Sequence, residues 1–189
     1  MTQQGKNAID LVLAESLIEL SAKKPIDKIT IKEITDKAGV IRHTFYNHIQ
    51  DKYELIEWII KTELLEPIKP LLNAGMIFEA IVLMLNNITA NSVFYKKALK
   101  LEGAVTFNQI AMKCVYEMFM NIISEKSTGK KSKYRWRTPE VISTYYAQSL
   151  CFITEGWIAQ GMDDIEPKEM AEAYMYLITR SMDDILSEL

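Results

Sequence analysis

One short segment near the amino terminus is dense in side chains that can hydrogen-bond to DNA. These side chains are Arg42, His43, Thr44, Tyr46, Asn47 and His48. Phe45 and Ile49 are the apolar residues of the same segment, so a helix there would have one inward side and a wide open surface. A short helix with many donors and aromatic rings, packed by few apolar residues, suits insertion into a DNA major groove.

We expect two kinds of DNA contact from this segment. Arg42 and His43 lie where a groove-bound helix reaches base edges, and Asn47 is a further candidate for a base. Contacts to phosphates or sugars are expected from Thr30, Thr44, Tyr46, His48 and Lys52. Lysine at the start of the next helix would add its charge to that helix's positive N-terminal end. The alternative for each single residue is a solvated surface position.

Two short helices joined by a tight turn must position these groups. Thr30 is a helix N-cap candidate, and Glu33, three residues later, is its reciprocal capping partner. Ile31 and Ile34 follow at helical spacing. Gly39 stands where the first helix must stop, because glycine accepts the left-handed conformation of a C-terminal cap. The pattern indicates a helix-turn-helix.

A resemblance to a known family rests on three groups of residues. They are Ala38-Gly39-Val40, Thr44-Phe45-Tyr46 with His48, and Asp51-Lys52-Tyr53-Glu54-Leu55. Over about residues 8–65 the chain resembles the N-terminal domain of TetR-family transcriptional regulators. Two positions depart from the family pattern. Ile41 stands where a Ser or Thr usually caps the recognition helix, a loss of ~0.5–2 kcal/mol, and Ile49 replaces a larger Phe.

The resemblance implies a function and a set of partners. A TetR-like protein is a homodimer that reads two half-sites of a palindromic operator in double-stranded DNA, with no cofactor and no enzymatic activity. It implies a sequence-specific transcriptional regulator, first of all a repressor whose operator affinity changes when a small molecule binds in its C-terminal domain.

A weaker resemblance keeps a second function open. Residues 93–123 and the ending Trp157-Ile158 to Gly161-Met162 resemble a TetR subgroup that includes dihydroxyacetone-kinase regulators. This implies the alternative of a regulator, in one version an activator, that is controlled by a protein co-regulator and has no pocket of its own. A helical enzyme or carrier is the remaining alternative, although the sequence has no phosphate-cradling glycine loop and no nucleophile elbow.

The composition is that of an ordinary soluble globular chain. Of 189 residues, 49% are apolar and 25% are charged, which suits one domain or two small ones. No apolar run approaches the ~20 residues that cross a bilayer, and the N-terminus lacks a signal-peptide pattern. Cys114 and Cys151 are expected to be reduced core residues. These features predict a cytoplasmic protein with no membrane partner.

The net charge of −3 does not by itself favour DNA binding. Residues 1–52 carry eight Lys or Arg against seven Asp or Glu, and the rest of the chain carries 14 against 18. A local basic cluster is expected from Lys24, Lys28, Lys37, Arg42 and Lys52. Modest non-specific affinity for DNA follows.

The apolar spacing predicts an all-α chain of about nine helices. Residues 1–52 form the helix-turn-helix DNA-binding domain, with the start of a linking helix that continues to about residue 72, and residues 73–189 form a helical effector-binding and dimerisation domain. Pro67 and Pro70 predict a kink or an end in the linking helix. The other predicted helices are 6–23, 76–90, 91–101, 104–126, 139–160 and 167–189.

The C-terminal half has aromatic and methionine residues at helical spacing, as a packed core requires. In a TetR-like protein this region also encloses an effector pocket with apolar walls and a few polar groups. The predicted lining residues are Asn86, Asn108, Tyr116, Phe119, Tyr145, Gln148 and Phe152. A core without a cavity is the alternative.

The last two helices are predicted to form a dimer surface. Small residues lie among bulky ones, and a glycine inside a helix costs ~1 kcal/mol relative to alanine, which hints at close packing. The predicted interface residues are Ser149, Gly156, Ala159, Tyr174, Leu177 and Ile178. Two such helices from each subunit would make a four-helix interface. A purely intrachain core is the alternative.

The two histidines and a basic loop are further candidates for binding sites. His43 and His48 are five residues apart and diverge by about 140° around a helix, so no metal is expected there. The loop 126–137 carries six basic residues and no acid, interleaved with Tyr134 and Trp136. A solvated loop is the expected role, and a lid for a partner or ligand is the alternative.

Overall fold

The computed structural model describes residues 3–103, 105–126 and 134–188. Every regular element in these ranges is helical, so the all-α prediction is confirmed. The α-helices are α1 (Gln3–Lys23), α2 (Ile31–Ala38), α3 (Arg42–His48), α4 (Lys52–Ile59), α5 (Glu66–Asn73), α6 (Ile77–Ala90), α7 (Ser92–Ala98), α8 (Phe107–Lys126), α9 (Pro139–Ala159), α10 (Pro167–Thr179) and α11 (Met182–Glu188). A short 3-10 helix (Ile26–Lys28) precedes α2.

Helix α2 begins and ends as the sequence predicts. The Thr30 hydroxyl accepts a hydrogen bond from the Glu33 backbone N–H at 3.3 Å, and the Glu33 carboxylate accepts one from the Thr30 N–H at 2.9 Å. This reciprocal pair satisfies two N–H groups that a helix start would leave free. At the other end, Gly39 has a φ of 68°, a conformation that glycine adopts without a Cβ clash. Both predictions are confirmed.

Helix α1 supplies the core on which α2 and α3 pack. Leu13 and Leu17 of α1 are buried in the same apolar cluster as Phe45 and Ile49. Val12 of α1 is exposed although it is apolar. Polar residues occupy buried positions of α1 instead, since Asp10, Ser16 and Ser21 are all buried. The face of α1 is therefore set partly by polar contacts that apolar periodicity does not reveal.

A continuous linking helix joins the helix-turn-helix to the rest of the chain. It consists of α4, a π-helical segment (Ile60–Leu65) and α5. Pro67 has no N–H, so it cannot donate a helical hydrogen bond to the Glu63 carbonyl four residues earlier. The Asn87 side chain of α6 donates to that carbonyl instead, at 2.9 Å. The predicted disturbance near Pro67 is thus a π segment, and the helix continues to Asn73.

The remaining helices form the body of the protein. α8 and α9 pack most extensively against each other, and α10 packs mainly against α6. The predicted single helix 167–189 is wrong, because α10 ends at Thr179 and α11 begins at Met182. Ser181 caps α11: its hydroxyl accepts from the Asp184 N–H at 3.2 Å, and its own N–H donates to the Asp184 carboxylate at 3.1 Å.

Within the described residues, no single helix is long and apolar enough to cross a membrane. α6 and α7 meet the length and composition test only when they are taken together, and they are bent by 88° at their junction.

The Asn87 contact gives a testable prediction. Asn87→Ala should lower the free energy of unfolding by about 1–2 kcal/mol, because the Glu63 carbonyl loses a partner that the Pro67 backbone cannot replace. Urea unfolding followed by circular dichroism measures this. Asn86→Ala, at an exposed position of the same helix, is the matched control and should leave stability unchanged. Equal stability of the two variants would contradict the role of Asn87.

Candidate nucleic-acid interface

Helix α3 presents a polar face and buries an apolar one. Arg42, His43, Tyr46 and Asn47 are exposed, whereas Phe45 is fully buried. The Arg42 guanidinium donates to the Tyr46 hydroxyl at 3.1 Å and lies 5.5 Å from the centre of that ring. These contacts hold two of the predicted DNA-binding side chains together on one exposed surface, which we call the α3 face. It consists of Arg42, His43, Tyr46 and Asn47.

His48 does not belong to that face. Its side chain is 2% exposed, and its Nδ1 lies 2.7 Å from the carboxylate of Asp10, which is 7% exposed. The prediction of a phosphate or sugar contact is therefore wrong for His48. The residue instead ties the C-terminal turn of α3 to α1. The role of Asp10 in holding α3 does not show in the sequence, because its partner lies 38 positions away in the chain.

Lys52 is also engaged inside the protein. Its ammonium donates to the carbonyls of Asp27 at 2.7 Å and Ile26 at 3.2 Å, and lies 3.5 Å from that of Ile29. Burial lowers the pKa of Lys52 from its ordinary value. These carbonyls hold the Lys52 ammonium at the junction between α4 and the 3-10 helix. The phosphate contact of Lys52, which is half-buried, stays a prediction.

The expected basic cluster is mostly paired with acids. Lys24 bonds to Glu33 at 2.5 Å, Lys37 pairs with Glu19, and Lys28 lies 3.5 Å from Asp27. The hydrogen bond from Lys24, together with those from Thr30, lowers the pKa of Glu33 to about 2. Lys32, which the sequence analysis did not single out, is exposed on α2. The positive charge on this side of the molecule is therefore modest, as the balance of charges predicts.

The ends of α3 and α4 are capped differently. Ile41 precedes α3, and no side-chain cap is found there among the described residues, as the sequence predicts. Asp51 caps α4, because its carboxylate accepts from the backbone N–H groups of Tyr53 at 2.8 Å and Glu54 at 2.9 Å. Helix α3 thus depends on packing for its stability, whereas α4 is stabilised by a side-chain cap.

An apolar cavity of about 350 Å³ lies within the body. Five helices contribute to its walls: α5, α6, α8, α9 and α10. The lining residues are Ile68, Leu72, Ile77, Ala80, Ile81, Met84, Met118, Phe119, Ile123, Ile142, Tyr146, Leu150, Tyr174, Met175, Ile178 and Thr179. Of the seven predicted lining residues, only Phe119 is among them.

The other predicted pocket residues lie elsewhere. Asn86, Tyr145, Gln148 and Phe152 are exposed. The Asn108 side chain donates to the Glu155 carboxylate at 2.7 and 2.8 Å, and Tyr116 is half-buried outside the cavity. The prediction failed because it chose polar residues for the pocket, whereas the helices turn nearly all of them outward. The cavity walls come from residues that were read as core.

The predicted dimer residues separate into two groups. Gly156, Ala159 and Leu177 are exposed. Tyr174 is 3% exposed and hydrogen-bonds to Ser149 within the same chain, and burial raises its pKa to about 12. Ile178, together with Tyr174, lines the cavity. Tyr174 therefore faces the interior, which does not fit a place in a dimer surface. Ile178 is half-buried beside the cavity, and its place in a dimer surface stays a prediction.

Two smaller expectations concern metals and the basic loop. Within the described ranges, no group of three or more His, Cys, Asp or Glu could hold a metal ion. Of the basic loop residues, Lys130, Lys131 and Lys133 lie outside the described residues. Lys126 donates to the Leu72 carbonyl at 3.2 Å. Tyr134 and Trp136 are exposed, with ring centres 6.0 Å apart.

The fold and the α3 face define a class of protein. A helix-turn-helix with an open recognition helix, joined by a long helix to an all-α body, is the architecture of a helix-turn-helix transcriptional regulator. Residues 76–180, more than half of the chain, match the TetR-type family model described as "Transcriptional regulator C-terminal region". The chain belongs to the TetR family of transcriptional regulators. Members of this class are regulators, so the protein is not an enzyme.

Individual relatives agree with this assignment. The HTH-type dhaKLM operon transcriptional activator DhaS of Lactococcus lactis subsp. lactis (strain IL1403) is 26% identical over 152 residues, which make up 79% of each chain. A solved structure of the dihydroxyacetone kinase operon activator DhaS has a TM-score of 0.60 at 19% identity and 95% coverage of both chains. Native NalD of Pseudomonas aeruginosa, a secondary repressor of the MexAB-OprM multidrug efflux pump, has a TM-score of 0.58 at 12% identity, covering 92% of this chain and 96% of its own.

The buried pair at the end of α3 gives a second prediction. Asp10→Ala should lower the free energy of unfolding by about 1–3 kcal/mol, because the buried His48 ring loses its hydrogen-bond partner. Chemical denaturation measures the effect. Glu15→Ala, at an exposed position of α1, removes the same charge and should change stability little. If Asp10→Ala is as stable as Glu15→Ala, the pair does not hold α3.

Proposed function

We propose that this protein is a homodimeric, sequence-specific DNA-binding regulator, with the α3 face as the part that enters the major groove. The observation that carries the proposal is the division of α3 into two sides. Phe45 and His48 anchor one side to α1, so the exposed Arg42, Tyr46 and Asn47 are free to meet DNA in a fixed orientation. His43, Thr44 and Thr30 are proposed as neighbouring contacts. The cytoplasm as the place of action stays a prediction.

An exposed apolar stripe on α9 supports a dimer. Its residues recur every three or four positions: Val141, Tyr145, Gln148, Phe152, Gly156 and Ala159 are all exposed. Phe152 is 77% exposed, although full burial of such a ring is worth about 1.5–3 kcal/mol. A Cβ added at Gly156 would meet no atom of the described chain within 4 Å. A second copy approaching closely at Gly156 accounts for both features. Leu177 of α10 is a further exposed apolar residue.

The contacts between body and DNA-binding part support control of DNA affinity by the body. Lys97 of α7 donates to the carbonyls of Ser21 at 2.6 Å and Ala22 at 3.0 Å, which end α1. Glu57 of α4 binds Lys113 of α8 at 2.8 Å, and hydrogen bonds from Lys113 and Lys61 lower its pKa although burial opposes this. A ligand that moves α7 or α8 would thus displace α1 and α4, and with them the α3 face.

The sign of regulation has support in both directions. The sequence predicts a repressor, and NalD, a repressor, shares the fold. The relative with 26% identity is named a transcriptional activator, which supports the alternative of an activator. We keep a small molecule in the body as the first proposal, because the 350 Å³ cavity is of the size that ligands occupy. Its apolar walls do not suit a small polar sugar such as dihydroxyacetone.

The DNA interface is tested by removing Arg42. Arg42→Ala should weaken binding to the preferred duplex by about 1–3 kcal/mol and bring its affinity closer to that for random duplex, because a base-reading group is lost. Fluorescence anisotropy with both duplexes at a fixed salt concentration measures this. Lys69→Ala, at an exposed position of α5, removes an equal charge away from the α3 face. The interface is misplaced if the two variants bind both duplexes equally well.

The dimer is tested by placing a charge on the α9 stripe. Phe152→Glu removes about 2 kcal/mol of apolar burial in each of two symmetric copies, so the dimer dissociation constant should rise by roughly a thousandfold. Sedimentation equilibrium reports the change. Val93→Glu makes the same kind of substitution at an exposed apolar residue of α7, outside the stripe, and should leave the dimer intact. A dimer unchanged by Phe152→Glu would place the interface elsewhere.

A further inference from the structure

We propose that the body binds an uncharged, largely aliphatic molecule with a single hydroxyl or carbonyl end, and that the Tyr95 hydroxyl recognises this end. The inference rests on the proposed effector site in the body and names the chemistry of its ligand. Three features of the structure support it: the walls of the cavity, an unsatisfied buried hydroxyl, and a small void beside it.

The cavity walls indicate the chemical character of the ligand. None of the described residues that line the 350 Å³ cavity is charged, and only Tyr146, Tyr174 and Thr179 carry polar side-chain atoms. A charged ligand group would lose its hydration there without gaining a partner, at a cost of several kcal/mol or more. Aliphatic groups of a ligand would contact mainly apolar side chains of the cavity wall. The site therefore selects neutral, apolar molecules.

Tyr95 provides a polar group deep in the body. The residue is fully buried, and its hydroxyl has no hydrogen-bond partner among the described residues. Buried polar groups are paired in the great majority of proteins, because an unpaired one loses free energy relative to water. Burial raises the pKa of Tyr95, so the hydroxyl keeps its proton and can donate. An acceptor from a ligand would satisfy it.

A second, smaller void lies between Tyr95 and the cavity. Tyr95 lines this space of about 40 Å³ together with residues of the π segment, α6, α8 and α9, among which Glu155 is the charged one. Met84 and Leu150 line both this space and the 350 Å³ cavity, so they form the partition between them. Methionine has an unbranched, flexible side chain that adapts to its neighbours. A rotation of Met84 would let an elongated ligand extend from the cavity to the Tyr95 hydroxyl.

The position of Tyr95 suggests how such a ligand would act. Tyr95 and Lys97 lie on the same short helix, α7, and the Lys97 ammonium holds the carbonyls that end α1. The void is also lined by Ile60, Leu64 and Leu65 of the π segment in the linking helix. A ligand that reaches Tyr95 therefore lies against α7 and the linking helix, which are two of the connections between the body and the helix-turn-helix.

The test compares two ten-carbon molecules that differ in charge. Isothermal titration with 1-decanol and with decanoate at pH 8 is carried out on the full chain and on two variants. Tyr95→Phe removes only the hydroxyl, and Tyr116→Phe removes a hydroxyl from a tyrosine that lines neither space. Decanol should bind the unaltered protein at least about tenfold more tightly than decanoate. Tyr95→Phe should weaken decanol binding by about five- to tenfold, whereas Tyr116→Phe should not.

The outcomes separate the ligand site from the regulator. The inference is overturned if decanoate binds the unaltered protein as tightly as decanol does, a comparison that needs no variant. It is also overturned if Tyr95→Phe leaves the affinity for decanol unchanged. The affinity for the preferred DNA duplex is measured in the same samples with and without decanol. If decanol binds through Tyr95 but leaves DNA affinity unchanged, the ligand site stands and the proposed control of DNA binding fails. If no decanol binds while DNA binding persists, the ligand site fails and the regulator stands.

Discussion

The attachment of α3 to α1 is the constraint on which the rest depends. A seven-residue helix without a side-chain cap cannot be stable in water by itself, because helix nucleation costs more than so few hydrogen bonds return. Its stability comes from one side, where Phe45 and Ile49 are buried and His48 meets Asp10. The opposite side of α3 is exposed and does not pack against the rest of the protein. That division leaves the exposed side chains of α3 available for the proposed contacts with DNA.

In the proposed regulation, the linking helix would carry a change in the body to this anchored unit. The π-helical segment of the linking helix has a rare geometry that often marks functional sites. It follows α4 directly and lines the 40 Å³ void in the body. The Asn87 amide donates a hydrogen bond to the Glu63 carbonyl, which Pro67 cannot do because it has no N–H. Glu57 and Lys97 add polar links on two further sides. Polar contacts of this kind have discrete partners, which suits a switch between two arrangements.

Features that depend on residues close in the sequence were predicted correctly. Predictions failed where the position of a side chain depends on residues that are distant in the sequence. Thr30, Gly39 and Phe45 follow from local spacing, and the structure agrees with them. The break before α11 had a local signal as well, since Ser181 and Asp184 have capping spacing. His48 could not be placed without knowing that Asp10 packs beside it. The cavity lining failed for a related reason: side-chain polarity does not tell which face of a helix a neighbouring helix will cover.

The central claim is that the α3 face reads a DNA sequence as part of a symmetric dimer. Selection of bound duplexes from a random-sequence library, with the purified protein at a stated salt concentration, tests it most directly. The account predicts enrichment of a palindrome whose half-sites are centred about one helical turn of DNA, or a multiple of it, apart. Binding that enriches no sequence over the input library would contradict the account, because non-specific attraction to phosphates would then explain all of the affinity.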